Sequence, residues 1–189
     1  VLAGPGSGKT TVVTHRVQSL IEKHGVNPSS ILVITFTRAA AREMKERFER
    51  LMEGRPMRGQ VSFGTFHSVF FRILKLAYQY DASDIIREDQ KLRVIRELTA
   101  KEQLEPEDEN ELISSLISEI SAVKGEQIDL EHYYAKSCSG DSFRRIYRGY
   151  EEQLQRAHKI DFDDMLVMCW ELFRKRPDIL SAWQKKYEY

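Results

Sequence analysis

The spacing of apolar positions changes several times within the first 80 residues. Val13, Val17, Leu20 and Ile21 recur at helical intervals, which predicts an amphipathic helix from Lys9 to about Glu22. Gly25, Asn27 and Pro28 mark a turn. The next six residues, Ile31-Leu32-Val33-Ile34-Thr35-Phe36, are nearly all apolar, the pattern of a parallel strand covered on both faces. Thr37 suits the cap of a second helix running to about Glu53, with Gly54 ending it. A short strand, Val61 to Gly64, and a third helix from a Thr65 cap to about Tyr80 follow. With Val1-Leu2 read as the stub of an earlier strand, the order β-α-β-α-β-α predicts a parallel sheet with crossover helices.

After Asp81 the pattern is helical only. Helices are expected over 88–101, 108–124, 142–158, 162–175 and 177–187. An acidic turn, Glu105-Pro106-Glu107-Asp108, and a polar loop, Ser137 to Asp141, separate them. Pro177 suits a first helical position. Asp161, three residues before Asp164, has the spacing of a capping pair. The chain therefore divides into an α/β half and an all-helical half.

A chain of 189 residues can hold one sizeable core or two small subdomains. With 41% hydrophobic and 31% charged residues it has the composition of a soluble globular protein. No apolar run approaches the roughly 18 residues of a membrane helix, and no signal peptide opens the chain. Cys138 and Cys169 are far apart and in no metal-ligand spacing, which argues against a disulfide scaffold or a zinc site and makes a reducing cytoplasm the default compartment. The first residue is Val1 and not Met, so the natural start is expected further upstream. The zero net charge hides an asymmetry. Residues 1–80 carry 12 Lys/Arg against 5 Asp/Glu, and residues 81–189 carry 17 against 24. The basic half is the place for a polyanion, unless its charges are only solvated helix faces.

Ala3-Gly4-Pro5-Gly6-Ser7-Gly8-Lys9-Thr10 lies between a strand stub and a helix, the context of a phosphate-binding loop. Its glycines let backbone N–H groups turn inward toward phosphate oxygens, and the following helix adds the positive end of its dipole. Lys9 would reach the β- and γ-phosphates of ATP, and the Thr10 hydroxyl would ligate Mg²⁺. Ala3 stands where the strict pattern has Gly. Kinases, GTPases, transporters and motors share such a loop, so it does not select a function by itself.

Two further segments narrow the choice. Ile34-Thr35-Phe36-Thr37-Arg38-Ala39-Ala40-Ala41-Arg42-Glu43-Met44 follows the second strand, and Gly64-Thr65-Phe66-His67-Ser68 follows the third. All three segments occupy the carboxyl edge of the expected sheet, where open α/β sheets bind ligands. In this order they resemble motifs I, Ia and Ib of superfamily I DNA helicases of the UvrD/Rep/PcrA kind, and Asp161-Phe162-Asp163-Asp164-Met165-Leu166 resembles a further segment of that family. The resemblance implies a P-loop, RecA-like core over about residues 1–66, an all-helical insertion over 67–186, and a return to the core at 187–189. It implies MgATP bound by Gly6, Gly8, Lys9 and Thr10, within a nucleotide site spanning Ala3, Gly4, Pro5, Ser7 and Thr11. It implies single-stranded DNA bound through Thr35, Phe36, Thr37 and Arg38 on motif Ia and through Thr65 and His67 on motif Ib. The implied parent is an ATP-dependent DNA helicase of 3′→5′ polarity, acting at single-strand/duplex junctions in repair or replication.

Several residues keep two readings. Phe36 is either core at a strand end or a stacking face for a base. Thr37 and Thr65 are caps that can also contact phosphate. His67 is either structural or a hydrogen-bond donor. Arg38, Arg42 and Lys45 line either a strand path or a solvated face. The Asp161–Asp164 segment either pins the helical half to the core or contacts a ligand, and Tyr147 and Tyr150 pack between helices. Two positions depart from the family. Thr11 stands where many members have Arg near the nucleotide, and Arg38-Ala39 replaces a frequent Asn-Lys. No apolar strand ending in Asp-Glu occurs in the chain, so the 189 residues are expected not to hydrolyse ATP alone. Two other parents fit these residues: a RecB/AddA-type helicase–nuclease subunit, and a non-motor P-loop protein that binds nucleotide as a switch.

Overall fold

The computed structural model describes residues 8–189, without the side chain of Lys9. The expected strand stub at Val1-Leu2 lies outside the described residues. Two compact units result: one runs up to Val69 and resumes at Leu172–Tyr189, the other is Phe70–Glu171. Residues 172–186 thus group with the first unit, where the sequence reading put the return only at 187.

In the first unit, β1 (Leu32–Thr35) pairs in parallel with β2 (Ser62–Thr65) in the register Leu32↔Ser62 through Thr35↔Thr65. Helices α1 (Lys9–His24) and α2 (Arg38–Leu51) pack with this sheet around Val17, Ile31, Val33, Phe48 and Met52. α1 runs two residues past its expected end because Gly25, at φ 64°, supplies the left-handed cap. β1 is shorter than its apolar run: only Val33 is buried, and Leu32, Ile34 and Thr35 are half-buried. After α8 (Pro177–Lys186) the chain reaches the other edge of β1, where the Leu32 N–H donates to the Tyr189 carbonyl at 2.8 Å and the Tyr189 N–H to the Ser30 carbonyl at 3.2 Å. Ser62 N–H donates to the Ile31 carbonyl on the opposite side, so Tyr189 and β2 flank β1.

The second unit is built on α4 (Glu88–Lys101), α5 (Glu109–Gly125) and α6 (Gly140–Arg156). Ile95, Ile113, Leu116, Ile120, Phe143, Ile146 and Tyr150 form one core among them. The unit boundary falls within α3 (Phe66–Tyr78) and within α7 (Phe162–Lys175). Two stretches of the second unit far apart in sequence meet: Ile160 N–H donates to Asp84 O and Ile86 N–H to Ile160 O, both at 2.9 Å. Three short 3₁₀ turns, Pro28–Ser30, Ala82–Asp84 and Leu130–His132, fall in stretches that read as loops. Asn27, Asp81 and Asp129 each accept a backbone N–H two residues on, a local bond that leaves no apolar periodicity to read. α4, α5 and α6 are each followed by a non-glycine residue in the left-handed region: Gln103, Gln127 and His158, at φ 53°, 52° and 51°. The next amides return to Thr99, Val123 and Leu154, five residues back, closing each helix end.

Candidate functional site

Ala3, Gly4, Pro5, Gly6 and Ser7 lie outside the described residues, as does the side chain of Lys9. What is described of the loop is its exit. Gly8 is exposed, sits at φ 79°, and caps α1 without a side-chain hydrogen bond. No acidic residue stands in the first turn. The start of α1 therefore presents N–H groups and a positive dipole end without a side-chain acceptor from Gly8. Thr10 is half-buried, and its carbonyl accepts the Thr14 hydroxyl at 3.2 Å. Thr11 is exposed, and its hydroxyl lies 3.5 Å from a guanidinium nitrogen of Arg47 on α2. Arg47 was not among the residues singled out from the sequence. It lies 36 positions from Thr11, and only the packing of α2 against α1 brings them together.

The second group surrounds the carboxyl ends of β1 and β2. The register that pairs Thr35 with Thr65 brings the two motif segments side by side. Phe36 is 85% exposed, which removes the core reading of that ring. Its ring contacts that of Phe66, centroids 5.2 Å apart. The Thr37 hydroxyl accepts the Ala40 N–H at 3.1 Å and caps α2, and Arg38 begins that helix, exposed. Thr65 is buried. Its hydroxyl accepts the Ser68 N–H at 3.2 Å while Ser68 Oγ accepts the Thr65 N–H at 2.9 Å, a reciprocal cap on α3. His67 is half-buried on the first turn of α3. Arg42 pairs with Glu46 and Lys45 with Glu49 along α2, which favours the solvated-face reading for those two.

A third cluster lies within residues 70–171. Asp161 and Asp164 exchange N–H bonds at 2.9 and 2.8 Å, the capping pair expected from their spacing. The Lys124 ammonium, from α5, lies 3.0 Å from Asp161, 2.7 Å from Asp164 and 2.6 Å from Glu151. Tyr150 donates its hydroxyl to Asp161 at 2.9 Å, Ser121 donates to Asp163 at 2.6 Å, and Lys91 is 3.8 Å from Asp161. The segment thus binds helices of its own unit. Burial works most strongly to raise the Asp161 carboxyl, but Lys124, the Asp164 N–H and Lys91 together hold the group below the ordinary carboxylate range. Burial, seconded by Asp161, pushes Asp164 up to about 6 against the pull of Lys124. Lys124 was missed in the sequence because nothing local marks a lysine that meets its partners some 40 positions away.

The family described as the UvrD/REP helicase N-terminal domain matches residues 1–189. An ATP-dependent DNA helicase PcrA of Staphylococcus aureus (strain Mu50) is 34% identical over all of this chain, which covers 26% of that protein. The PcrA of Staphylococcus epidermidis is 33% identical with the same coverage. The chain spans about a quarter of the length of these relatives.

Proposed function

Because the chain belongs to the UvrD/REP helicase N-terminal family, we propose that it supplies part of the first, RecA-like motor domain of an ATP-dependent DNA helicase, with the helical unit as an insertion. The observation that carries this reading is the alignment of the two motif segments at one sheet edge, Thr35 beside Thr65, with Phe36 exposed there. In this reading Ala3 through Thr10 wrap the phosphates of ATP, Lys9 neutralises the β- and γ-phosphates, and Mg²⁺ is held through the Thr10 hydroxyl. The start of α1, capped by Gly8 without a side-chain acceptor, suits an anion. Thr11 borders the nucleotide, and Arg47, which also pairs with Glu43, lies beside it.

Single-stranded DNA crosses the Phe36 edge. A base stacks on Phe36, Arg38 neutralises a phosphate, and Thr35, Thr37, Thr65 and His67 border the path. Thr65 acts mainly through the α3 cap, since its hydroxyl is engaged there. The parent translocates 3′→5′ and unwinds duplex from single-strand junctions, in DNA repair or replication in the cytoplasm. The experiment is a Lys9→Ala substitution in the full-length parent. ATPase and unwinding are expected to vanish with single-strand binding retained. Loss of strand binding with ATPase intact would overturn the assignment of both surfaces.

A further inference from the structure

We infer that Phe66 is a positioning residue that orients the Phe36 ring for stacking, and that the Gly64-Thr65-Ser68 turn fixes Phe66 for that task. The inference rests on the proposed role of Phe36 in strand binding. β1 and β2 run parallel with register pairs ending at Thr35↔Thr65. One residue further along each chain stands a phenylalanine, so the register itself delivers the two rings to neighbouring places at the edge. They meet with centroids 5.2 Å apart and planes inclined at 44°, a separation at which aromatic rings attract each other. A phenylalanine that is 85% exposed has little packing to select among its rotamers, and the Phe66 ring is a contact that does. A preset ring loses less freedom when a base stacks on it.

Phe66 is held in turn by the start of α3, of which it is the first residue. Ser68 Oγ accepts the Thr65 N–H at 2.9 Å and donates to the Thr65 carbonyl at 2.8 Å, and Thr65 Oγ1 accepts the Ser68 N–H. A Cβ on residue 64 would come within 2.7 Å of that Ser68 oxygen. Glycine at 64 therefore leaves room for the hydroxyl that fixes the turn. The line of dependence runs from Gly64 through Ser68 and the helix start to Phe66, and from Phe66 to the face of Phe36.

The test is a titration of the full-length parent with a labelled oligo(dT), read by anisotropy, for Phe36→Ala, Phe66→Leu, Phe66→Met, Phe66→Tyr and the Phe36→Ala/Phe66→Leu double variant. Phe66→Leu and Phe66→Met are expected to weaken binding by roughly 2- to 10-fold, with nucleotide affinity and thermal midpoint unchanged, and Phe66→Tyr to bind as the parent does. In the Phe36→Ala background Phe66→Leu should cost nothing more. Normal binding by Phe36→Ala would sink the stacking reading itself. A weakened Phe36→Ala beside normal Phe66→Leu and Phe66→Met would sink the positioning role alone. So would a Phe66→Leu loss that persists without the Phe36 ring.

Discussion

Replacing Lys124 with Met keeps the volume of the aliphatic stem and removes only the charge. The lysine side chain is 3% exposed, and it faces Asp161 at 2%, Asp164 at 18% and Glu151 at 42%. Glu151 can recover hydration and Asp164, already raised to about 6 by burial, can take up a proton, so the cost is set by Asp161, which would remain as a buried carboxylate. Removing one partner of a buried pair costs about 3–5 kcal/mol. Lys91, 3.8 Å from Asp161, and the Tyr150 hydroxyl stay in place and favour the lower end, about 3 kcal/mol. With a urea slope of about 1.5–3 kcal/mol/M, the midpoint should fall by about 1–2 M. Trp170 belongs to the helical unit and Trp183 to the other, so tryptophan fluorescence in a Trp183→Phe background reports this transition. The loss should also depend on pH. In the unsubstituted chain Asp161 lies below its unfolded value, so its stabilisation is present above the ordinary carboxylate range and lost only in stronger acid. Without Lys124, burial raises Asp161 and further raises Asp164. The folded variant then takes up protons more readily than the unfolded chain and gains stability as pH falls. Asp164, already at about 6, gives the unsubstituted chain a smaller gain over the same range. The difference between the two proteins should therefore be wider at pH 8 than at pH 5. A loss under about 1 kcal/mol, or one equal at both pH values, would refute the buried-charge reasoning.

Gln127→Gly should stabilise the helical unit by about 1 kcal/mol, since it relieves a left-handed non-glycine residue at the end of α5, and a lowered urea midpoint would count against this. Gly64→Ala should displace the Ser68 hydroxyl and cost about 1 kcal/mol in a urea denaturation of the first unit, followed by Trp183 fluorescence in a Trp170→Phe background, with little further loss when Ser68→Ala is added; a full second loss would show that the clash lies elsewhere. In the full-length parent Arg38→Ala should flatten the log–log salt dependence of single-strand binding by about 0.7, and an unchanged slope would leave that side chain on the solvated face.

The helices with local punctuation were legible residue by residue. Glu88–Lys101 and Phe162–Lys175 match their expected bounds, and Pro177 does open α8. Strand limits were less legible, because an apolar run does not say where its cover stops. Phe36 looked like the end of β1 yet lies outside it, exposed. Two of the three expected carboxyl-edge segments do come together, as the pairing of Thr35 with Thr65 requires of a parallel register, and the phosphate loop lies outside the described residues. Contacts between distant residues carried no such signal. Arg47 beside Thr11, and Lys124 amid Asp161, Asp164 and Glu151, depend on helix packing that periodicity does not specify.

The shared register of β1 and β2 divides the chain into stretches that tolerate a change of length and stretches that do not. Between α2 and β2 the backbone crosses Gly54 and Pro56, exposed positions that can absorb an added or lost residue without moving either strand. One residue gained or lost inside Ser62–Thr65 has a different outcome. It would turn every later side chain of that strand to the opposite face and carry Phe66 away from Phe36. The four-residue strands thus act as a ruler, against which both motif segments are cut to the same length.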